Sequence, residues 1–228
     1  ARGVSAYLLV DMAHIAGLVA AKVIPSPVPH SDFVTFTTYK TLMGGRGGVI
    51  LCRQEYAGKI DRAVFPGSQG TPSLSMIAAK AVCFKLAMDP EFVALQRKTL
   101  DNAAYLAEEL EKRGYRIVSG RTENHIVLVD LRPKGLKGNT AEKALESVGI
   151  IVNRNVIPYD PELPSVASGL RLGASAITAR GMGKEQVSLI AELIDTTLIH
   201  HERDNVLIEV ANKVRELCRQ FPVYEEQQ

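Results

Sequence analysis

The sequence has no tryptophan. It also has little excess charge and no long apolar run, and these two features exclude two classes of partner. Its 27 Lys and Arg residues nearly balance 25 Asp and Glu residues, which leaves a formal net charge of +2. Because basic blocks interleaved with aromatic residues are also missing, we expect no nucleic-acid partner. No apolar run is long enough to span a bilayer, so we expect no membrane partner. The hydrophobic fraction of 46% is nevertheless enough for a sizeable globular core.

Cysteine is scarce too, and the three cysteines lie far apart in apolar or helical surroundings, at Cys52, Cys83 and Cys218. This spacing is typical of reduced core residues and not of a disulfide or zinc framework, so we predict a cytoplasmic protein. A metal site could be built only from scattered residues near the start of the chain, namely Asp11, His14, His30 and Asp32. Nothing in the sequence fixes these groups in one coordination shell, and we predict no metal site.

The first 52 residues contain three short apolar runs, at 7–10, 33–36 and 48–52. They are rich in Val, Leu, Ile and Phe and do not alternate with polar residues. Such runs are typical of strands that are buried on both faces of a largely parallel sheet. We therefore predict an α/β fold whose sheet begins in this part of the chain.

Chemically active side chains follow the first two of these runs at once. Asp11 and His14 follow the first run, and Thr37, Tyr39 and Lys40 follow the second. In open α/β sheets, functional groups lie just past the carboxyl ends of the strands. A desolvated lysine is available for Schiff-base formation, and a carboxylate on a neighbouring strand can keep a pyridine nitrogen protonated. Taken singly, the lysine could be a surface residue and the aspartate a turn residue, but their combination indicates a pyridoxal-phosphate enzyme.

Longer motifs extend this interpretation along the whole chain. They are DMAHIAGLVAA from Asp11, PVPH from Pro27, TTYKTL from Thr37, GGRGG from Gly44, FPGSQG from Phe65, NH from Asn124, VNRN from Val152, PYDP from Pro158, SGLR from Ser168 and FPVY from Phe221. In this order they closely resemble serine hydroxymethyltransferase, a fold-type-I pyridoxal-phosphate-dependent transferase. The resemblance implies residues 1–90 as the C-terminal part of the cofactor-binding large domain with its mixed sheet, 91–115 as a connecting helix and 116–228 as a small C-terminal α/β domain. It also implies that the chain is the C-terminal part of a longer enzyme.

The resemblance assigns roles to the residues that bind the cofactor. Lys40 is expected to form the Schiff base with pyridoxal phosphate, Asp11 to pair with its ring nitrogen, and His14 to lie near the ring. Taken alone, His14 is better explained as a hydrogen-bonded structural histidine, and its position beside Asp11 together with the resemblance reverses that interpretation. Thr37 is expected to contact the cofactor, although threonine is also a good strand former. Gly70 and Thr71 belong to a loop that the family brings to the cofactor phosphate of the other subunit.

The same resemblance indicates how substrates bind. Arg171 is expected to bind the α-carboxylate of the amino acid, and Arg46 to hold anionic groups. Tyr39 is expected beside the Schiff base, and Asn155 near the pteridine of tetrahydrofolate, which is the co-substrate; Asn155 could instead be an ordinary turn residue. The implied reaction is the reversible transfer of a hydroxymethyl group between serine and tetrahydrofolate, which yields glycine. The implied assembly is a homodimer or homotetramer with the site at the subunit interface.

Several positions depart from the family pattern, and they cluster around the expected active site. They are Tyr39 where the family usually has His, Gly45 where it has Pro, Thr71 where it has Gly, Ser75 near the place of a His, and Ala174-Ser175 where it has Thr-Pro. One alternative is therefore an enzyme with an altered substrate, such as an α-methylserine hydroxymethyltransferase or a folate-independent aldolase or transaldolase of β-hydroxy amino acids. Another alternative is an incomplete, inactive chain that only binds a partner.

Secondary-structure signals in the remainder are clear. Periodicity and Gly or Pro stops predict helices at 73–88, 91–113, 139–148, 184–199 and 205–220. Short apolar runs predict strands at 116–119, 125–130, 150–152 and 170–172. Residues 65–72 are predicted to form a loop, and residues 225–228 a frayed end.

Overall fold

The computed structural model describes residues 1–224, and the predicted frayed end at 225–228 lies outside them. The chain forms two compact units, Ala1–Arg97 and Lys98–Gln228, and the division falls inside one long helix. Both units combine helices with a β-sheet, so the chain is mixed α/β. No helix in the described part of the chain combines the length and apolar character that crossing a membrane requires.

The first unit contains a sheet of three strands in the order β1-β2-β3, with β1 at Leu9–Asp11, β2 at Phe33–Thr37 and β3 at Gly48–Cys52. β1 and β2 are parallel, whereas β2 and β3 are antiparallel. Connection length explains the difference. The chain has room for helix α1, Ala16–Ala20, between β1 and β2, but only residues 38–47 separate β2 from β3, which is too few for a parallel crossover.

The prediction that these strands are buried on both faces was wrong for β1 and β3. Leu9 is 59% exposed and Ile50 is 44% exposed, whereas Val34 in the central strand is 2% exposed. One face of the sheet packs on helices through a cluster that includes Met12, Val34 and Phe36. A strand has a covered face only where another layer packs on it, and in the described residues that layer is present mainly on one side.

Three further helices complete the first unit. They are α2 at Ala57–Arg62, α3 at Leu74–Leu86 and the first part of α4, Pro90–Lys112. Residues 65–68, which were predicted to lie in a loop, instead belong to a wide helical turn, Ala63–Ser68, that Phe65 interrupts with extended backbone angles. Helix α4 ends at Lys112, one residue before the predicted bound, and Gly114 follows with a φ of +84° as the predicted stop.

The second unit contains a sheet of four antiparallel strands in the order β4-β5-β7-β6. The strands are β4 at Arg116–Ile117, β5 at Ile126–Asp130, β6 at Asn153–Asn155 and β7 at Gly169–Gly173. The predicted strand at 150–152 was wrong. The backbone N–H of Ile150 still bonds to the carbonyl of Leu145 to close the preceding helix, so pairing starts only at the polar residue Asn153.

Helices pack on one face of this sheet. They are α4 with α5 at Gly138–Ser147, α6 at Ser175–Ala179 and α7 at Lys184–Ile199. Helix α8, Asp204–Gln220, packs on α7 through a separate cluster that includes Leu193, Val210 and Val214. Val127, Val129, Leu170 and Leu172 face this layer and are at most 5% exposed. Because side chains alternate along a strand, Leu128 and Arg171 lie on the opposite face. Short 3₁₀ turns at Arg2–Val4, Val28–His30, Gln54–Tyr56, Val118–Gly120 and Arg132–Lys134 connect the elements.

Candidate active site

The carboxyl ends of β1 and β2 meet at one edge of the first sheet because these strands are parallel. Asp11 is in register with Thr35, and the N–H of Met12 donates to the Thr35 carbonyl at 2.9 Å. The Asp11 carboxylate accepts a hydrogen bond from the Ala13 N–H at 2.9 Å through Oδ1. The backbone therefore fixes the carboxylate at the strand end, beside the end of the strand that leads to Lys40.

Two threonines tie the segment after β2 to the segment after β1. Thr37 donates through Oγ1 to the carbonyl of Ala13 at 3.3 Å. Thr41 donates through Oγ1 to the carbonyl of His14 at 2.9 Å and accepts from the N–H of Gly17 at the same distance. Lys40 lies between these two threonines in the sequence. The structure therefore brings together the backbone segments that carry Lys40, Asp11 and His14.

Thr41 is also held from helix α4, by a residue that sequence reasoning did not identify. Its carbonyl accepts a hydrogen bond at 2.9 Å from Nε2 of Gln96, a side chain with no solvent exposure. The neighbouring Leu42 carbonyl accepts from Sγ of Cys83 at 3.4 Å. Burial raises the pKa of the Cys83 thiol, which keeps it protonated as a donor. No local sequence signal marks Gln96 for this role, because its partner lies 55 residues away in the chain.

The glycine-rich turn after Lys40 is folded around Thr38. The buried Thr38 hydroxyl donates to the carbonyls of Gly45 and Gly47, and the Thr38 carbonyl accepts from the Gly44 N–H at 2.8 Å. A Cβ atom on Gly47 would lie 2.3 Å from Cε of Lys80, so the flexible end of that lysine side chain would have to move. The turn thus returns the chain to β3 with the carbonyls of Gly45 and Gly47 hydrogen-bonded to Thr38.

Tyr39 lies between two cations on the surface of this turn. The Arg46 guanidinium carbon lies 4.5 Å from the centroid of the Tyr39 ring, and Nζ of Lys40 lies 5.9 Å from the same centroid. The ring is 37% exposed. Cations at these distances are attracted to the negative face of an aromatic ring. Since Tyr39 directly precedes Lys40, this attraction holds the Arg46 guanidinium near Lys40.

An open cleft of about 1000 Å³ runs along the sheet face that carries Asp11 and Thr37. Lys80 also lines it and donates to the carbonyl of Gly48 at 3.0 Å. Gly70 and Thr71 are exposed and lie between Gln69 and Pro72, which both line the cleft. Of the predicted cofactor-binding residues, Asp11 and Thr37 line the cleft, whereas His14, Lys40, Gly70 and Thr71 are not in its lining.

Arg171 and Asn155 belong to the second unit and lie on neighbouring strands. Arg171 is half-buried on β7, and its Nη2 donates to Oδ1 of Asn153 on β6 at 3.2 Å. Asn155 follows on the same strand β6 and donates through Nδ2 to the Val156 carbonyl at 2.7 Å. Sequence reasoning identified Arg171 and Asn155 but missed Asn153.

The loop that follows β6 is organised by Asp160. Its carboxylate accepts hydrogen bonds from the N–H groups of Ile157, Glu162 and Ser168 at 2.9 to 3.1 Å, and from the Ser168 hydroxyl at 2.6 Å. Burial acts to raise the pKa of Asp160, but these bonds to the charged form outweigh it and lower the pKa to about 2. The carboxylate therefore acts as an ionised anchor for the loop.

Comparison with protein families decides which family the chain belongs to. The family model described as serine hydroxymethyltransferase matches residues 1–194. The chain belongs to the serine hydroxymethyltransferase family. This family comprises pyridoxal-phosphate-dependent transferases of serine and glycine one-carbon metabolism. The matched region contains every residue discussed above as a candidate for binding cofactor or substrate, and it ends within helix α7. Within residues 1–224, no group of three or more His, Cys, Asp or Glu side chains is arranged to hold a metal ion.

Proposed function

We propose that the protein transfers a hydroxymethyl group reversibly between serine and tetrahydrofolate, with pyridoxal phosphate as its cofactor. The observation that carries this proposal is the joining of the two strand ends. Asp11 ends β1, Lys40 follows the neighbouring parallel strand β2, and hydrogen bonds from Thr37 and Thr41 cross-link the segments that hold them.

The residues at this edge fit the cofactor. Oδ1 of Asp11 is occupied by a backbone N–H, and no hydrogen bond among the described residues reaches Oδ2, which leaves an acceptor for the protonated ring nitrogen. Lys40 supplies the amine that attaches to the cofactor aldehyde. When bound, pyridoxal phosphate supplies an electron-withdrawing ring that stabilises negative charge on the substrate α-carbon.

The other proposed site residues bind the substrates or the cofactor and orient them. Arg171 pairs with the α-carboxylate of the amino acid through two parallel N–H donors, which fixes the plane of the substrate and hence the bond that breaks. Arg46 holds anionic groups, and Tyr39 borders the attachment point of the cofactor. His14 lies near the ring, and Gly70 and Thr71 serve the cofactor phosphate of a partner subunit. Asn155 contacts the pteridine of tetrahydrofolate, which accepts the one-carbon unit as glycine forms.

We further propose the domain assignment that the family implies. Residues 1–90 belong to the cofactor-binding domain of a fold-type-I enzyme, 91–115 form the connecting helix, and 116–228 form the small domain. The assembly is a homodimer or homotetramer in the cytoplasm. The mixed α/β character of both units supports the assignment.

Covalent trapping tests the proposal directly. The full chain is loaded with pyridoxal phosphate and reduced with borohydride, and its peptides are mapped by mass spectrometry. We expect the cofactor on Lys40, no adduct there in Lys40→Ala, and tetrahydrofolate-dependent release of glycine from serine. Cofactor attached elsewhere, or activity that survives Lys40→Ala, would overturn the proposal. A folded protein that takes up no cofactor would support the inactive, partner-binding alternative.

The environment of Tyr39 favours a second candidate, a related enzyme with an altered substrate. The ring that replaces the usual histidine is engaged by Arg46, so the group next to Lys40 differs in volume and in hydrogen bonding. Parallel assays with serine and α-methylserine, each with and without tetrahydrofolate, separate the candidates. A preference for α-methylserine would identify an α-methylserine hydroxymethyltransferase. Turnover that is indifferent to tetrahydrofolate would identify a folate-independent aldolase or transaldolase.

A further inference from the structure

Arg171 differs from its neighbours on the second sheet in the partner of its guanidinium. Arg116 and Arg132 both pair with the buried carboxylate of Asp130, and Arg154 pairs with Glu142. Within residues 1–224, no carboxylate forms an ion pair with Arg171, and its hydrogen-bond partner is the neutral amide of Asn153. Among the described residues, therefore, no carboxylate compensates the positive charge of this half-buried guanidinium.

The strand register explains why these two side chains meet. Asn153 and Arg171 are directly opposite each other in the antiparallel pair β6–β7, so both point to the same face of the sheet. On the other side of Arg171, the opposite residue is Leu128 on β5, which is half-buried. Leu128 can cover the guanidinium on one side without competing for its N–H groups, while the Asn153 amide restrains Nη2 from the other side.

We propose that Asn153 is a positioning residue that orients Arg171 for the α-carboxylate of the amino-acid substrate. This inference rests on the proposed function. A guanidinium has five N–H donors, and a bidentate carboxylate uses two of them. One bond to a neutral amide fixes the plane of the guanidinium without neutralising it. An aspartate at the same position would form an ion pair with Arg171 and compete with the substrate carboxylate.

The test compares ligands with and without a carboxylate in the cofactor-loaded full chain. Glycine and glycinamide are titrated into the wild type, Asn153→Asp and Asn153→Ala, and binding is followed by the change in cofactor absorbance. We expect Asn153→Asp to weaken glycine binding by about tenfold or more, because the new carboxylate competes for the Arg171 N–H groups. Asn153→Ala should weaken it several-fold, because the hydrogen bond that orients the guanidinium is lost. Glycinamide affinity and borohydride trapping on Lys40 should remain unchanged. A loss of affinity shared by both ligands would indicate a merely structural role and overturn the inference.

A matched control exists on helix α8, where Arg215 donates through Nη2 to Oδ1 of the exposed Asn212 at 2.7 Å. Asn212→Asp makes the same chemical change at an Asn–Arg pair away from the sheet, and it should leave glycine affinity as in the wild type. Arg171→Gln tests the role of Arg171 separately from the role of Asn153. If Arg171→Gln weakens glycine binding and folded Asn153→Asp does not, the inference fails alone. If Arg171→Gln has no effect, the proposed role of Arg171 fails. If Asn153→Asp does not fold, the glycine-to-glycinamide affinity ratio of Asn153→Ala decides.

Discussion

Thr41 and Gly17 are packed so closely that the contact leaves no room for a side chain at position 17. The Gly17 N–H donates to the Thr41 hydroxyl at 2.9 Å, and a methyl group on Gly17 would lie 2.2 Å from the Thr41 carbonyl oxygen. These residues belong to the two segments that carry His14 and Lys40. The glycine therefore permits the close approach of the segments from which the proposed active site is built.

Gly17→Ala should destabilise the protein. The new methyl group meets backbone atoms, which cannot rotate away, so the segments must separate, and overpacking of this kind costs about 1–3 kcal/mol or more. Denaturant unfolding of the full chain measures the loss. Gly3→Ala is the control, because a Cβ atom there meets nothing within 4 Å. Equal stability of the two variants would show that the contact is looser than described.

Thr41→Val should destabilise the protein more than Thr41→Ser. Valine keeps the shape of threonine but removes the hydroxyl that bonds to the Gly17 N–H and to the His14 carbonyl. A buried N–H such as that of Gly17 costs about 1–3 kcal/mol when it loses its acceptor. Serine keeps the hydroxyl and loses one methyl group. Thermal and denaturant unfolding of both variants provide the comparison. A serine variant as unstable as the valine variant would assign the effect to packing and not to the hydroxyl.

Local signals were enough to predict much of the fold. The apolar run bounded by glycine at 48–52 is strand β3, and the periodic segment 184–199 is helix α7, both with the predicted bounds. The strand expected at 150–152 failed because apolar residues there complete the end of helix α5, and the polar segment Asn153–Asn155 pairs instead. Pairing depends on the neighbouring strand β7, which lies 14 or more residues further along the chain and which no local pattern reveals.

The proposed site was predictable where chemistry follows a strand and unpredictable where it depends on distant contacts. Asp11 and Lys40 could be identified because each lies within four residues after an apolar run. Gln96 and Asn153 could not, since their roles arise from hydrogen bonds to Thr41 and to Arg171 that span 55 and 18 residues. The roles of Asp11, Lys40 and Arg171 in binding cofactor and substrate remain predictions, which the experiments above test.

Tyr39 and Arg46 should be energetically coupled. A guanidinium at 4.5 Å from an aromatic centroid contributes about 0.5–1 kcal/mol at an exposed position. A double-mutant cycle with Tyr39→Ala, Arg46→Ala and the double variant measures this coupling in denaturant unfolding. Tyr39→Phe should retain the coupling because it keeps the ring. A coupling near zero, or one that Tyr39→Phe abolishes, would show that the ring face is not what holds Arg46.

Asp160→Asn should reduce stability at neutral pH but not in acid. The pKa of Asp160 is lowered from 3.8 to about 2 in the folded protein, so its contribution is present above about pH 4 and is lost as the pH falls through 2. Asparagine replaces one acceptor oxygen by an NH₂ group that faces N–H donors, and we expect a loss of about 1–3 kcal/mol at pH 7. Urea unfolding from pH 7 to pH 2 should show the wild type and the variant converging below pH 4. Asp101→Asn, at an exposed position of helix α4, should show no such convergence. A stability difference that stays constant across this range would mean that Asp160 does not anchor the loop as an ionised carboxylate.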